Sequence, residues 1–142
     1  MAPAASTVPK YTVSTDQARL ELGWIVTQIQ GSYWGAHMAS ETICGAVANS
    51  LCFGAYADNR QVGMVRVVTD HGIFSSITDA IVEEGLRGQG VGTALMRAVI
   101  EHPSVAGTYC VLRSRPENQR FYSRFNFQLF DERHGLMHRG PG

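Results

Sequence analysis

Residues 85–92 hold four glycines and closely follow an apolar run that ends at Val82. Glycine lets the backbone adopt positive φ and approach a ligand closely. The residues after the glycines have helical periodicity, and the first N–H groups of a helix have no acceptor within it. When a strand is followed by a glycine-rich turn and then by the first turn of a helix, several N–H donors point toward one anion. The segment therefore predicts a phosphate-binding loop, with the Arg87 guanidinium at its rim.

Two well-known types of phosphate loop are excluded by the sequence. The chain has no Gly-x-x-x-x-Gly-Lys-[Ser/Thr] segment, so the loop is not of the Walker type. A Rossmann loop would need a third glycine where Thr93 stands, and Leu112 stands where its acidic ribose partner is expected. The remaining pattern, Arg87-x-x-Gly90-x-Gly92, does not by itself choose among ATP, NAD and coenzyme A.

A second segment, residues 117–127, narrows this choice. It has Asn118 near the start of a short predicted helix, the pair Phe121-Tyr122 after it, and a Phe that opens the last main strand. Taken with the glycine pattern, in this order and at this separation, it closely resembles the signature of the GNAT superfamily of acyl-CoA-dependent N-acetyltransferases. The resemblance spans about residues 50–130, whereas the first fifty residues match only in the order of their elements.

The resemblance implies that the loop holds the pyrophosphate of coenzyme A, with acetyl-CoA as the acyl donor and no metal. The pantetheine arm would enter between the strand that ends at Val82 and the strand of residues 109–112. A main-chain N–H of Ile81 or Val82 would face the acetyl oxygen. The implied cofactor-binding residues are Ile81, Val82, Arg87, Gly88, Gln89, Gly90, Val91, Gly92, Thr93 and Asn118.

Acetyl transfer to an amine also needs an acid for the leaving thiolate and a base for the amine. Tyr122 is the candidate acid, because a phenol with a pKa of about 10 stays protonated at neutral pH; a core aromatic is the alternative interpretation. Asp79 is the candidate base, because a carboxylate in an apolar strand is costly unless it faces a polar cleft or a partner. Its alternative is a residue on a solvated face. Other titratable groups on or beside the central strands are Asp70, His71, Glu83 and Glu84.

The acceptor is an amine of unidentified structure. Tyr33 and Trp34 fall where the family builds its acceptor pocket, although an aromatic pair there can also close the core. A polyamine, an amino sugar, an amino acid, a protein N-terminus and a lysine all remain open. Eleven of the twelve basic residues are arginines, and four follow the loop: Arg113, Arg115, Arg120 and Arg124. They are either solvated surface or neighbours of the cofactor phosphates.

Composition sets the remaining expectations. A chain of 142 residues with 44% hydrophobic residues can bury one core, so we expect a single domain over residues 10–142. Residues 1–9 are rich in Ala and Pro, and we expect them to form a flexible segment. A net charge of zero disfavours a nucleic-acid partner. Three cysteines without Cys-x-x-Cys indicate neither a disulfide framework nor a zinc site, and no long apolar run indicates a membrane span. We expect a cytoplasmic protein. The oligomeric state is not determined by the sequence, and a homodimer is one alternative because dimers are common in the family.

The pattern of elements predicts an α/β (α+β) GNAT fold. We expect a mixed, mostly antiparallel sheet of six to seven strands, flanked by about four helices and splayed at the cofactor cleft. Its predicted strands are residues 11–14, 51–57, 62–69, 73–82, 109–112, 127–130 and a short one around 136–138. Two residues depart from the family pattern: Glu84 replaces a frequent Pro, and Asn126 replaces a Gly but tolerates positive φ.

The predicted function is therefore transfer of an acetyl group from acetyl-CoA to a primary amine by direct attack in a ternary complex. A non-catalytic acyl-CoA-binding or regulatory module is the alternative, since the phosphate loop alone does not require a base or an acceptor pocket. A nucleotide-binding protein that uses the loop for ATP is a third hypothesis.

Overall fold

The computed structural model describes residues 11–141, so the segment 1–9 that was expected to be flexible lies outside the described residues. Seven strands form one sheet: β1 (Thr12–Ser14), β2 (Leu51–Ala57), β3 (Arg60–Thr69), β4 (Phe74–Val82), β5 (Tyr109–Arg113), β6 (Gln128–Asp131) and β7 (Leu136–Arg139). Their order across the sheet is β1-β2-β3-β4-β5-β7-β6, and β4 and β5 are the parallel pair in an otherwise antiparallel sheet. The predicted fold class is confirmed.

Within residues 11–141, five α-helices flank the sheet, one more than expected: α1 (Leu22–Gln30), α2 (Ser40–Ala48), α3 (Val91–Glu101), α4 (Pro103–Ala106) and α5 (Gln119–Ser123). The additional helix is α4, which begins at the proline that ends α3. Proline cannot continue a helix but is suited to the first helical position, so Pro103 does both. None of these helices in the described part of the chain has the length and apolarity needed to span a bilayer.

The sequence predicts an N-terminal helix capped by Thr15 or Asp16, but α1 begins later, at Leu22. Asp16 does act as a cap, since its carboxylate accepts the N–H of Ala18, but the segment it caps is a single 3₁₀ turn. The main chain of Glu21 then donates to the Gln61 side chain at 2.8 Å, and the Gln61 N–H donates to the Glu21 carboxylate at 2.8 Å. This reciprocal pair holds the chain extended before α1 begins.

The strand ends agree with the sequence pattern to within one residue, apart from the start of β3. Asp58 and Asn59 have φ of 50° and 64° and form the turn by themselves, so β3 begins two residues earlier than predicted, at Arg60. Asn126 has φ of 66°, which confirms the expectation that an asparagine can replace glycine before the last main strand.

The two faces of the sheet carry separate hydrophobic cores. Helix α3 packs on one face, where Leu95 is buried with Phe53 and Leu112. Helices α1 and α2 cover the opposite face over β2, β3 and part of β4, where Ile25 is buried with Met64. The two cores define two sides of the molecule, the α3 side and the α1–α2 side.

An extra residue in β4 links the two cores. Met64 of β3 pairs with Ile81, but Arg66 pairs with Thr78, so Asp79 and Ala80 together oppose a single residue of β3. Such a bulge shifts the alternation of side chains by one. Ile77 therefore packs on the α3 side and Ile81 on the α1–α2 side, although a regular strand would place both on one face.

Gly135 offers a direct test of the turn before β7. Its φ is 64°, and an added Cβ would overlap the main-chain oxygen of Ser114, whose N–H donates to the Gly135 oxygen at 2.7 Å. We expect Gly135→Ala to lower the free energy of unfolding by about 2 kcal/mol or more, measured by urea denaturation. Gly140→Ala is the control, because its Cβ meets open space. Equal denaturation midpoints for the two variants would contradict this account.

Candidate active site

The cleft lies where β4 and β5 separate. The two strands pair from Phe74 and Tyr109 to Ile77 and Leu112, and beyond that point β4 continues to Val82 without a partner on this side. The bulge at Asp79 falls just after the last pair, and a bulge bends its strand and increases the local twist. The separation encloses a cavity of about 1560 Å³. The predicted splay of the sheet is present.

The cleft edge of β4 presents the peptide group of Val82, which no neighbouring strand uses. The N–H of Glu83 donates to the Val62 oxygen of β3 at 2.8 Å. Because successive residues of a strand direct their N–H and C=O groups to opposite edges, the Val82 groups face the cleft. The Arg87 side chain donates to the Val82 oxygen at 3.3 Å. Of the two donors considered for a bound carbonyl, the geometry favours the N–H of Val82 over that of Ile81.

The glycine loop, residues 85–92, presents a row of free N–H groups. Gly88 and Gly90 have φ of 81° and 91°, and Gly90 is the residue that precedes the first turn of α3. Within the described residues, no hydrogen bond uses the N–H groups of residues 88–93. These donors include the first three of α3, which have no intrahelical acceptor. The loop can therefore bind an anion, and its φ values need glycine.

The start of the loop is held by contacts that the sequence pattern did not reveal. The Arg60 guanidinium donates two hydrogen bonds to the Glu83 carboxylate, at 2.7 and 3.0 Å, and the Trp24 indole donates a third at 3.2 Å. The hydrogen bonds from Arg60, and then the one from Trp24, lower the pKa of Glu83 below its ordinary value. Glu84 stands where the family often has Pro, and this anchored neighbour supplies rigidity at that point.

Tyr122 and Asn118 both line the cavity, on the side opposite β4. The Tyr122 ring packs edge-on against Phe121 and Phe127, with centroids 5.1 and 6.3 Å away. The ring is therefore packed against the core at the wall of the cavity, and the role of Tyr122 as an acid stays a prediction. Burial raises the pKa of the Tyr122 phenol above its ordinary value of 10.0, so the group keeps its proton at neutral pH.

The two sequence segments also touch each other. A Cβ at Gly92, in the first turn of α3, would lie 3.5 Å from Phe121 of α5 and 3.9 Å from Val82 of β4. The strand end, the loop and the downstream helix thus converge on one point, and larger residues at position 92 would separate them.

Asp79 has two strong partners. The Arg66 guanidinium donates to one carboxylate oxygen at 2.7 Å, and the Trp34 indole donates to the other at 2.8 Å. The side chains of Asp79 and Arg66 are 7% and 20% exposed, and Arg66 also donates to the Ser50 hydroxyl at 3.0 Å. A carboxylate in an apolar strand is tolerated here because its charge is paired. Its role as a base stays a prediction.

The loop between α1 and α2 covers one mouth of the cavity. Tyr33 and Trp34 line this mouth, and their rings meet edge-on with centroids 5.1 Å apart. From the other side of the cleft, the Arg115 guanidinium lies 4.3 Å from the centroid of the Tyr33 ring. Loops from two parts of the fold therefore meet over the α1–α2 side of the cavity.

Twelve of the fourteen residues predicted for the site line the cavity, and the other two are Gln89 and Val91. The Gln89 side chain bonds the Gly85 oxygen and the Tyr11 hydroxyl instead, at 3.5 and 3.2 Å. The Val91 side chain is buried in the core, so only its N–H faces the loop. Of the four clustered arginines, all but Arg120 line the cavity.

Two of the alternative base candidates lie elsewhere. Asp70 and His71 form the turn between β3 and β4 and do not line the cavity. The Asp70 carboxylate accepts the N–H groups of Gly72, Ile73 and Phe74 at 2.7 to 3.1 Å. These hydrogen bonds, that of Ile73 first, lower the pKa of Asp70, so its role is to hold the turn.

Comparison with known proteins points to one family. The profile described as "Acetyltransferase (GNAT) domain" matches residues 48–129. A GNAT-family candidate acetyltransferase from Xanthomonas campestris has 32% sequence identity and a TM-score of 0.81, covering 85% of this chain and 86% of that one. An aminoglycoside 6'-N-acetyltransferase in complex with coenzyme A has a TM-score of 0.74 over 90% of this chain and 96% of its own, and at 10% identity it shows the fold alone.

A curated relative gives weaker coverage. A candidate acetyltransferase of Gibberella zeae is 26% identical over 111 residues, which are 64% of this chain. The chain spans 63% of the length of that relative.

The ion pair behind the cavity can be tested by a double-mutant cycle. Asp79→Asn keeps a residue that tolerates the φ of 49° but leaves the largely buried Arg66 without a counter-charge. We expect a loss of about 3 kcal/mol in the free energy of unfolding, measured with urea. Adding Arg66→Met should recover about half of that loss, because it removes the unpaired charge. A double variant no more stable than Asp79→Asn alone would contradict the pairing.

Proposed function

The chain belongs to the GNAT family of acetyltransferases, and on this premise we propose that it transfers an acetyl group from acetyl-CoA to a primary amine by direct attack in a ternary complex. The observation that carries this proposal is the open edge of β4. Its Val82 peptide group, which bonds no neighbouring strand, leads into six consecutive unused N–H groups at residues 88–93, within the described part of the chain. This continuous row of main-chain donors and acceptors suits a long ligand with an amide arm and a pyrophosphate.

The residues present fit coenzyme A in two places. The N–H groups of residues 88–93 would hold the pyrophosphate, with Arg87 at the rim of the loop. The carbonyl of Val82, which faces the cleft, would accept an amide N–H of the pantetheine arm, and this leaves the Val82 N–H for the thioester. Asn118 lines the same cavity and offers an amide from the other wall. Bound acetyl-CoA supplies an activated acetyl group, which passes to the amine as a C–N bond forms and the C–S bond breaks.

Two groups of the chain carry the proposed chemistry. The Val82 N–H polarises the thioester carbonyl, because a fixed donor in a cleft stabilises the charge that develops on that oxygen. Tyr122 donates its proton to the leaving sulfur, and its raised pKa keeps that proton available at neutral pH. A neutral amine is required for attack, so a protonated acceptor must first lose a proton to a base or to water.

The contacts of Asp79 argue against its proposed role as the base. Both its oxygens accept hydrogen bonds, and the partner on one of them is a guanidinium. Both oxygens are thus engaged by fixed partners, which leaves less of the carboxylate open to an incoming amine. We propose that Asp79 acts chiefly by fixing Trp34 at the acceptor mouth, and that the amine loses its proton through water in the open cavity.

The direct test of the proposal is amine-dependent release of free coenzyme A thiol from acetyl-CoA. We expect release with at least one class of primary amine and none without protein. Tight binding of coenzyme A without amine-dependent thiol release would instead support the non-catalytic acyl-CoA-binding module. Thermal stabilisation by ATP-Mg but not by coenzyme A would support the nucleotide-binding alternative.

The phosphate loop has a matched pair of glycine variants. Gly90→Ala places an L side chain at φ of 91° and redirects the N–H groups that follow, so we expect the Kd for coenzyme A to rise about 5- to 100-fold. Gly85→Ala lies in the same loop, and its Cβ meets open space at an ordinary φ. We expect calorimetric titration to give Gly85→Ala a Kd for coenzyme A close to that of the unchanged protein. Equal Kd values for both variants would argue against this loop as the binding element.

The acid is tested by Tyr122→Phe, which keeps the ring contacts with Phe121 and Phe127 but removes the donor. We expect kcat to fall by about two to four orders of magnitude, with the Kd for coenzyme A nearly unchanged. Tyr56→Phe is the control, because the Tyr56 hydroxyl is buried without a partner in the described part of the chain and lies outside the cavity lining. Unchanged turnover in Tyr122→Phe would return Tyr122 to a core role.

A further inference from the structure

The charged side chains of the cavity do not balance once their partners are considered. The cavity is lined by four arginines, Arg87, Arg113, Arg115 and Arg124, and by four carboxylates, Asp79, Glu83, Glu84 and Glu117. Asp79 and Glu83 are paired with Arg66 and Arg60, neither of which lines the cavity. Four arginines thus face two further carboxylates, Glu84 and Glu117. The cavity is positive, and no buried carboxylate in it is free to bind a cation.

Two of these arginines belong to the acceptor side. In β5, Cys110 and Leu112 are buried in the core on the α3 side. Side chains alternate along a strand, so Arg113 points to the α1–α2 side, away from α3 and its N-terminal donors. Among the described residues Arg113 forms no ion pair within 4.0 Å.

Arg115 is placed at the same mouth by its contact with Tyr33. The central carbon of the guanidinium lies over the Tyr33 ring, 4.3 Å from its centroid, and this contact leaves the N–H groups of Arg115 without a strong acceptor. Its ion pair with Glu117, at 3.6 Å, joins two side chains that are 54% and 63% exposed. An exposed pair of this kind is weak, so it does not commit Arg115.

Resting on the proposed function, we infer that the acceptor is an amine that carries a carboxylate, such as a free amino acid, and that Arg115 binds this carboxylate with Arg113 beside it. A guanidinium edge matches a carboxylate with two parallel hydrogen bonds, and Tyr33 holds that edge in place. Polyamines and amino sugars are disfavoured, because a second cationic group would enter a cavity in which arginines outnumber the carboxylates that are not held by residues outside it.

The test compares matched acceptors in the thiol-release assay: leucine, phenylalanine and glutamate, the amide of each at the α-carboxylate, and the amine left when that carboxylate is removed. Spermidine and kanamycin complete the panel. We expect kcat/KM for the preferred amino acid to exceed that for its amide about 10- to 100-fold, the range for a hydrogen-bonded charge. Arg115→Met should reduce this ratio to within about threefold without raising the KM for acetyl-CoA more than about twofold. Arg113→Met should reduce the ratio less.

Arg133→Ala is the control, because Arg133 is exposed and lies outside the cavity lining. Preference for the amides, the amines or the polycations would overturn the inference and leave the proposed function intact. So would a rise in the KM for acetyl-CoA as the main effect of Arg115→Met, since that would assign Arg115 to the cofactor. If no amine releases thiol, the proposed function fails. The inference is then decided by thermal stabilisation of the coenzyme A-saturated protein by the amino acids, which Arg115→Met should abolish; its absence would overturn the inference.

Discussion

The extra residue of β4 at Asp79 is the constraint on which the site depends. It turns Ile81 to the face opposite Ile77, so that one strand serves both hydrophobic cores, and it bends β4 away from β5. Asp79 adopts the positive φ that the bulge needs, and its carboxylate is held by Arg66 and Trp34. One residue therefore combines the backbone shape that opens the cleft with the side-chain contacts that fix one of its mouths.

The site is built largely from main-chain groups that the fold leaves without partners. A paired β4 and β5 would have used the Val82 peptide, and a longer helix before α3 would have used the N–H groups of residues 88–93. These groups are presented in the open, on a scaffold anchored by Glu83 and its hydrogen bonds from Arg60 and Trp24. Side chains contribute mainly at the two ends, Arg87 at the loop and Tyr33 with Arg115 at the opposite mouth.

Local signals carried the sequence prediction where neighbouring residues determine conformation. Short patterns were enough to predict the glycine loop, the order of the strands along the chain and the positive φ of Asn126. The anchoring of Glu83 was not, because its partners lie 23 and 59 residues away along the chain. The late start of α1 depends on Gln61, 40 residues downstream. The bulge in β4 depends on which residues of β3 pair with it. Pairings of this kind arise from tertiary structure and leave no periodicity in the sequence.

The bulge also determines which changes of length β4 can accept. Many substitutions between Ile77 and Ile81 would leave the register of the strand intact, whereas removal of one residue would restore regular alternation. Ile81 would then be carried from the α1–α2 core to the α3 side, and β4 would run straight alongside β5. A one-residue deletion here would thus exchange an open cleft for a continuous sheet. For anyone who reshapes this scaffold, the number of residues in β4 is a stricter requirement than their identity.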